Sequence, residues 1–493
     1  SLRNRWFFML EETDLIIKKL KKETNEISDI VYREKYICGK KIYIIYNEPL
    51  TSSDKISEFI IKSLNELSKD KVKDNLLKTI SNNITNFKYE IIDKYDTLCF
   101  YLHRGFTIIL IDGEKEAIVL ETKGSIKRSI SPPENENAIR GAKDAFIEDY
   151  QTNIGLIKKR IKTNDLWIDN ITCGKYTKTQ IGVISINGIV KRELVEIVLK
   201  KIKEINIDGI INSDNIKNLI ENEDKIAFPT ILTTERPDIV CNCLLEGKVA
   251  IVVDNSPYVL IIPTLLNDFF KTIEDLYGKS INVSFTRIIK YIAFFISILT
   301  PALYIAITTY NQEMIPTDLL VSFATQRDGV PFPAFFEAIM MMIAFEILRE
   351  SDIRVPNPAG SALSIVGALI LGDAAVAAGI VSPIMIIIIA ITAISSLPFS
   401  EFEFTNAIRL YRLIFMIGAA FMGLIGVVVV GIFFIIKLAS TKSFGKPYLI
   451  PFSPTYIEGL KNSIIKFPLR NLYKRRSFLS NNTIKRSVKH EKN

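Results

Sequence analysis

Six small residues set the first chemical question. Ser361, Ser364, Ala368, Gly372, Ala375 and Gly379 are spaced three or four apart, so on a helix they share one face. Such a face has two uses. Small side chains let helix backbones pack closely in a bilayer, and together with serine hydroxyls they also leave room for water and ions in a narrow pore or gate. Asp373 interrupts the same apolar stretch. A carboxylate there faces water or a cationic partner, so it is a candidate for a cation path or for an ion pair with Arg349, Arg354, Arg409 or Arg412. Glu337, Glu346 and Arg349 are further charges in apolar helical sequence, and Glu346 with Arg349, one turn apart, has the spacing of an intrahelical pair.

Enzyme chemistry finds no comparable set. The chain holds no Walker A sequence, GxGxxG fingerprint, HExxH or GxSxG. Its carboxylates are dispersed, so no acid–base pair is assigned. Five cysteines (38, 99, 173, 241 and 243) are odd in number and irregular in spacing, as in reduced, cytosolic proteins. Cys241-Asn-Cys243 is the one close pair, and two histidines, His103 and His490, cannot complete a zinc set of familiar spacing. The lysine run Lys18 to Lys22 reads as a solvated helix face. We therefore expect a protein that is not an enzyme and uses neither metal nor cofactor, which leaves binding, gating or scaffolding.

The elements that must position these residues fall into two kinds of sequence. Over 493 residues, 48% are apolar and 24% charged, yet the classes are segregated: 291–312, 374–400 and 413–436 are uncharged runs of 22, 27 and 24 residues. About 20 helical residues cross a hydrocarbon core of roughly 30 Å, so a wholly soluble protein is excluded. The net charge of +8 is local, because residues 461–493 carry ten Lys or Arg against one acid. A basic tail after a span anchors topology on the cytosolic side and is no nucleic-acid face. No signal-peptide core occurs in the first 30 residues, which places the N-terminal part in the cytosol as well.

The predicted fold is an α+β cytosolic N-terminal region of two small α/β subdomains followed by an α-helical multi-span membrane domain. Residues 1–35 read as an N-terminal extension with a short amphipathic helix. Subdomain 1 covers 36–130, with strands Lys41 to Tyr46, Tyr89 to Ile92, Phe106 to Ile111 and Ala117 to Leu120, a helix at 54–69, and a hairpin turn at Asp112-Gly113. Ser131-Pro132-Pro133 marks a boundary. Subdomain 2, 131–286, is predicted as a helix over 137–162, strands at 166–172, 178–187, 249–253 and 258–262, helices at 190–203 and 214–222, and a mixed sheet. The membrane domain, 287–440, holds four to five helices: 288–310, 333–348, about 359–379, 384–399 and one strong span over 413–437. With both ends cytosolic the crossings are even in number, so one segment, the Ala/Gly/Ser helix, is re-entrant. Residues 441–493 form the basic cytosolic tail.

Three blocks carry a family resemblance. Glu350-Ser-Asp-Ile-Arg-Val-Pro-Asn-Pro-Ala-Gly-Ser-Ala-Leu-Ser364, continuing through Gly372-Asp373 to Ser382-Pro383, resembles the signature of the GerA family, the A subunits of bacterial spore germinant receptors. Glu134 to Lys162, with Arg140-Gly141, Phe146-Ile-Glu-Asp149 and Thr152-Asn153, is similar to the family's helix. Leu244 to Pro257 and Pro263-Thr-Leu265 resemble its strand pair ahead of the membrane domain. The resemblance covers roughly 40–460 and leaves both ends unmatched. It implies a multi-pass protein of the inner spore membrane that works with a transporter-like B subunit and a lipoprotein C subunit, in contact with membrane lipid. It also implies a homo-oligomer, a pentamer, acting as a nutrient-gated cation channel lined by the small-residue helix. A non-conducting scaffold that couples a sensor to a separate ion or dipicolinate channel, and a paralogue carried with the dipicolinate-channel operon, are the competing readings.

Overall fold

The structure, a computed structural model, describes residues 13–24, 29–37, 39–65, 67, 76–84, 89–103, 105–122, 131–133, 135–136, 141–221, 226–354, 367, 371–460, 462–468 and 475–480. They fall in two compact units, one drawn from Ser1–Asn222, Ile231–Pro263 and Leu469–Asn493, the other from Glu223–Thr230 and Thr264–Pro468.

The first unit contains two antiparallel sheets. In the first lobe, helix α1 (Thr13–Glu23) precedes β1 (Ile30–Ile37) and β2 (Lys40–Asn47). After the helical stretch 53–65 come α2 (Leu76–Asn83), β3 (Tyr89–Ile92), α3 (Tyr95–Leu102), β4 (Thr107–Ile111) and β5 (Ala117–Leu120). The sheet order is β1-β2-β4-β5-β3. Alternate residues of a strand point to opposite faces, and here both faces are covered. Tyr43 and Ile45 meet α1 and α3 through Leu20 and Leu98, while Ile42, Ile44 and Tyr46 meet the opposite layer through Ile60 and Ile80. That double burial explains why β2, β4 and β5 read as unbroken apolar runs. Gly113, with φ +81°, makes the β4–β5 turn. Of the extension expected over 1–35, residues 13–24 and 29–35 are instead built into this lobe.

The second lobe runs α4 (Tyr150–Arg160), β6 (Leu166–Cys173), β7 (Thr179–Ile186), α5 (Arg192–Lys203), α6 (Ser213–Ile220), β8 (Leu232–Thr234), α7 (Pro237–Leu245), β9 (Val249–Val253) and β10 (Val259–Ile262). Its order is β6-β7-β9-β10-β8 and every pairing is antiparallel, not mixed as expected. The α5–α6 connection carries the chain to the far edge, where β8 runs opposite to β10. Ile154, Ile157, Val240 and Leu244 of α4 and α7 pack on Ile184, Val252 and Ile261.

Of the helix expected over 137–162, residues 137–140 lie outside the described residues, 141–149 are not helical, and the helix runs Tyr150–Arg160. Asp149 caps it by accepting from the Thr152 N–H at 2.7 Å. Upstream, Phe146 N–H donates to the Glu235 carbonyl at 2.7 Å, and Arg236 donates to the carbonyls of Glu136 and Ala142. Those bonds hold extended backbone in place of helix.

The lobes meet at α4. Lys158 Nζ and Asp29 Oδ2 lie 2.6 Å apart with side chains 6% and 1% exposed. A Cβ on Gly155 would sit 2.9 Å from the Pro49 carbonyl oxygen, so glycine permits this approach.

The second unit is helical: α8 (Ser280–Thr309), α9 (Thr317–Arg327), α10 (Ala334–Arg354), α11 (Pro383–Ile394) and α12 (Phe402–Ser440). Among the described residues, α8 is long and apolar enough to cross a membrane, and α12 meets that length and apolarity taken over its whole 39 residues. The run expected as one span over 413–437 is a hairpin. Gly423 takes φ +59°, ψ −139°, and the Tyr411 and Phe434 rings on its two sides lie 4.7 Å apart, where a straight helix would separate them by about 34 Å. Glycines permit the reversal: a Cβ at Gly423 would press on Tyr310, and one at Gly426 would run into the Gly418 carbonyl.

The tail is not free either. Residues 441–468 pack at the foot of α8, where Arg287 donates to the carbonyls of Asn462 and Ser463 at 2.9 and 3.0 Å. In the first unit Phe478 and Leu479 are buried, and Ser480 bridges Val190.

Candidate functional site

Of the small-residue stripe, Ser361, Ser364 and Ala368 lie outside the described residues. The rest occupies a helical turn at 371–377 and its end. Gly372 is buried, and a Cβ there would rest 3.7 Å from Ile386 of α11. Ala375 is half-buried, and its carbonyl accepts from Ile380 N–H across Gly379, whose φ of +67° ends the helix. Asp373 is exposed, as are Ala374 and Ala377. The turn thus has one face that packs and another that presents a carboxylate among methyl groups. Among the described residues Asp373 has no ion pair: the arginines that sequence offered it are engaged elsewhere or, as with the Arg354 side chain, not described.

Glu337 anchors the first buried polar group of this unit. It is wholly enclosed at the start of α10, one Oε2 accepting from the Ser382 N–H at 3.0 Å and from Ser382 Oγ at 2.9 Å. Oε1 lies 3.3 Å from Arg327 at the end of α9. Ser382 precedes Pro383 at the N-terminus of α11, where a carboxylate is favoured by the helix dipole. One side chain therefore ties three helices together.

A second group forms around Glu346. Arg349, one turn on, lies 3.7 Å away, the expected intrahelical partner, but Arg409 of α12 is nearer at 3.2 Å. Beside them Arg412 is buried and donates through Nε to the Ser297 carbonyl of α8 at 2.6 Å. Nη2 of both Arg409 and Arg412 lacks a hydrogen-bond partner among the described residues. Three guanidinium groups thus gather about Glu346, with Glu350 near enough to act on it. Tyr310 Oη donates to the Ala420 carbonyl at the hairpin tip, so α8 meets α12 there.

Sequence reading missed Arg327, Ser382 and the Ser297 carbonyl. The signal for Arg327 and Ser382 was Glu337 itself, a carboxylate that cannot stay buried alone. The Ser297 carbonyl carried none, because any helical backbone could have supplied it.

In the α/β unit the notable titrating group is Glu136. Its Oε2 accepts from Thr234 Oγ1 at 2.5 Å and from the Glu235 N–H at 3.2 Å, yet burial pushes its carboxyl up to about 7. Burial likewise lowers His103 and raises the Cys241 thiol to about 12, so that thiol is inert. No cluster able to hold a metal occurs among the described residues.

The described residues form a two-lobed antiparallel α/β region and a helical unit with two apolar candidate spans and enclosed ion pairs. The chain belongs to the GerA family: residues 18–478 match the model of the Bacillus/Clostridium GerA spore germination protein. That match reaches past both ends of the 40–460 expected from motifs. Spore germination protein KA of Bacillus subtilis is 40% identical over 92% of this chain and 84% of its own length. Uncharacterized membrane protein YfkQ of the same organism is 32% identical over 95% of this chain and 91% of its own. The crystal structure of the N-terminal domain of the A subunit of the Bacillus megaterium spore germinant receptor GerK3 covers 53% of this chain and 99% of its own, at 30% identity and a TM-score of 0.43. The protein is a spore germinant-receptor subunit of the GerA family.

Proposed function

We propose that this protein is the A-type subunit of a nutrient germinant receptor in the inner spore membrane, and that it forms an oligomeric, nutrient-gated cation channel. The carrying observation is the divided turn at 371–377, with Gly372 packed and Asp373 exposed beside Ala374 and Ala377. A carboxylate on a face of small side chains suits a cation path, and in a ring of copies, a pentamer by family resemblance, it would recur around the axis. Exposed Phe421, Ile425 and Phe433 on α12 suit lipid contact. A transporter-like B subunit would bind the nutrient and a lipoprotein C subunit would complete the receptor. The nutrient must then favour the open state by differential affinity.

One observation favours the competing scaffold reading: Glu337, Glu346, Arg409 and Arg412 all engage other helices or their own, as parts of a packed transmitter would. Potassium release after nutrient addition separates the two. Spores carry wild-type protein, none, or Ala368→Trp at equal abundance. Loss of release with both deletion and the tryptophan supports conduction through this helix, whereas loss with deletion alone supports the scaffold.

A further inference from the structure

An apolar cavity of about 590 Å³ lies within the helical unit, between α8, the second arm of α12 and the segments that follow and precede them. Phe294 and Ile298 of α8, Gly431 and Phe434 of α12, and Leu449 and Ile464 of the C-terminal segment are among its walls. The size is that of a small-molecule site, about 300–1,000 Å³. Its walls are apolar, and polar groups stand next to them at Tyr291. Tyr291, a lining residue, donates to Asn267 Oδ1 at 2.5 Å, and the Nδ2 of that buried asparagine has no partner among the described residues. Lys290, next to Tyr291 and one turn from Phe294, is 4% exposed, and its Nζ has no hydrogen-bond partner among the described residues. Glu274 and Asp275 attract it, but Asp275 is held by Arg287 at 2.7 Å and Arg287 also takes two carbonyls. Lys466 adds a third cation at the foot of α8, with its Nζ on the carbonyls of Asp275 and Gly278.

An enclosed amine and an enclosed amide N–H without acceptors are costly, and an anion beside either would satisfy it. From Lys290 to Ile298 the stripe along α8 rises about 12 Å of apolar wall. We propose that this cavity binds one anionic phospholipid, with an acyl chain along Phe294 and Ile298 and the phosphate on Lys290 and Asn267. Basic pockets between helices near a membrane surface recognise such headgroups. The inference rests on the membrane placement of the helical unit given above.

The test uses the full chain, purified in detergent, incubated with phosphatidylglycerol or phosphatidylcholine of identical chains, and passed through gel filtration before the retained lipid is measured by mass spectrometry. Phosphatidylglycerol is expected to be retained about fivefold over phosphatidylcholine. Lys290→Met should erase that preference, Lys290→Arg should keep it, and Gly431→Leu, which fills the cavity, should lower retention of both. Inorganic phosphate should not displace the lipid. Equal retention by the wild-type chain, which needs no variant, overturns the proposal, as does a preference that survives Lys290→Met. Loss of self-association in Gly431→Leu with no retained lipid overturns it too, and assigns the cavity to a second copy. Carbonate washing of the membranes is run alongside: release of the protein sinks the membrane placement itself, while a resistant protein without lipid preference sinks only the lipid site.

Discussion

The two units treat buried charge differently. In the α/β unit Lys158 and Asp29 pair across the two lobes with both side chains enclosed, and Arg160 meets Asp144, half-buried, within the second lobe. In the helical unit Glu346 faces Arg349 and Arg409 with Arg412 alongside, and guanidinium nitrogens remain without acceptors among the described residues. A closed pair specifies one packing and gains little from a change in surroundings. A cluster with open donors is sensitive to whatever supplies the missing acceptor, whether water, an ion or another subunit. The difference is one of satisfied against unsatisfied buried charge.

Breaking the closed pair should give the largest effect. Asp29→Ala leaves an enclosed ammonium and is expected to cost about 3–5 kcal/mol, read by denaturant unfolding of the full chain in detergent. The double replacement Asp29→Leu with Lys158→Met should recover most of it. A small loss from the single change would mean that Lys158 finds another acceptor, and the comparison would fail.

Next in size is Glu337→Leu, which orphans the Ser382 N–H and the Arg327 guanidinium. We expect roughly 1–3 kcal/mol, with Glu337→Gln milder because the amide oxygen still accepts from Ser382. Measured as thermal shifts, these two should separate the hydrogen bond from the charge.

Smallest is a pH slope in the α/β unit. Glu136, raised in the folded state to about 7 from its ordinary value of 4.5, binds more protons folded than unfolded between those limits. Its contribution is fully present below about pH 4.5, falls as pH rises, and levels off above about 7. Glu136→Gln should flatten that part of the stability profile; an unchanged slope would assign it to other groups.

Legibility in the sequence followed how local the causes were. Tyr89–Ile92, Ala117–Leu120 and the Asp112-Gly113 turn were readable because strand periodicity and a left-handed glycine act within a few residues. The absence of helix over 141–149 was not, since the bonds that hold it come from Glu235 and Arg236, about ninety residues on. The hairpin at Gly423 hides in a run that reads as one span, and only the closeness of Gly418, Gly423 and Gly426 hints at a backbone contact. At the candidate site the charged residues were named from their unlikely setting, but their partners were not. Glu346 reaches Arg409 across sixty-odd residues, a pairing that spacing cannot reveal.

The central claim is that Asp373 faces a cation path, and single-channel recording from the purified protein in planar bilayers tests it most directly. Wild-type protein, Asp373→Asn and Asp373→Lys are compared in a potassium chloride gradient. The account predicts a cation-selective conductance whose reversal potential moves toward zero with asparagine and changes sign with lysine. A conductance with the same selectivity in all three, or none from well-folded wild-type rings, would contradict it.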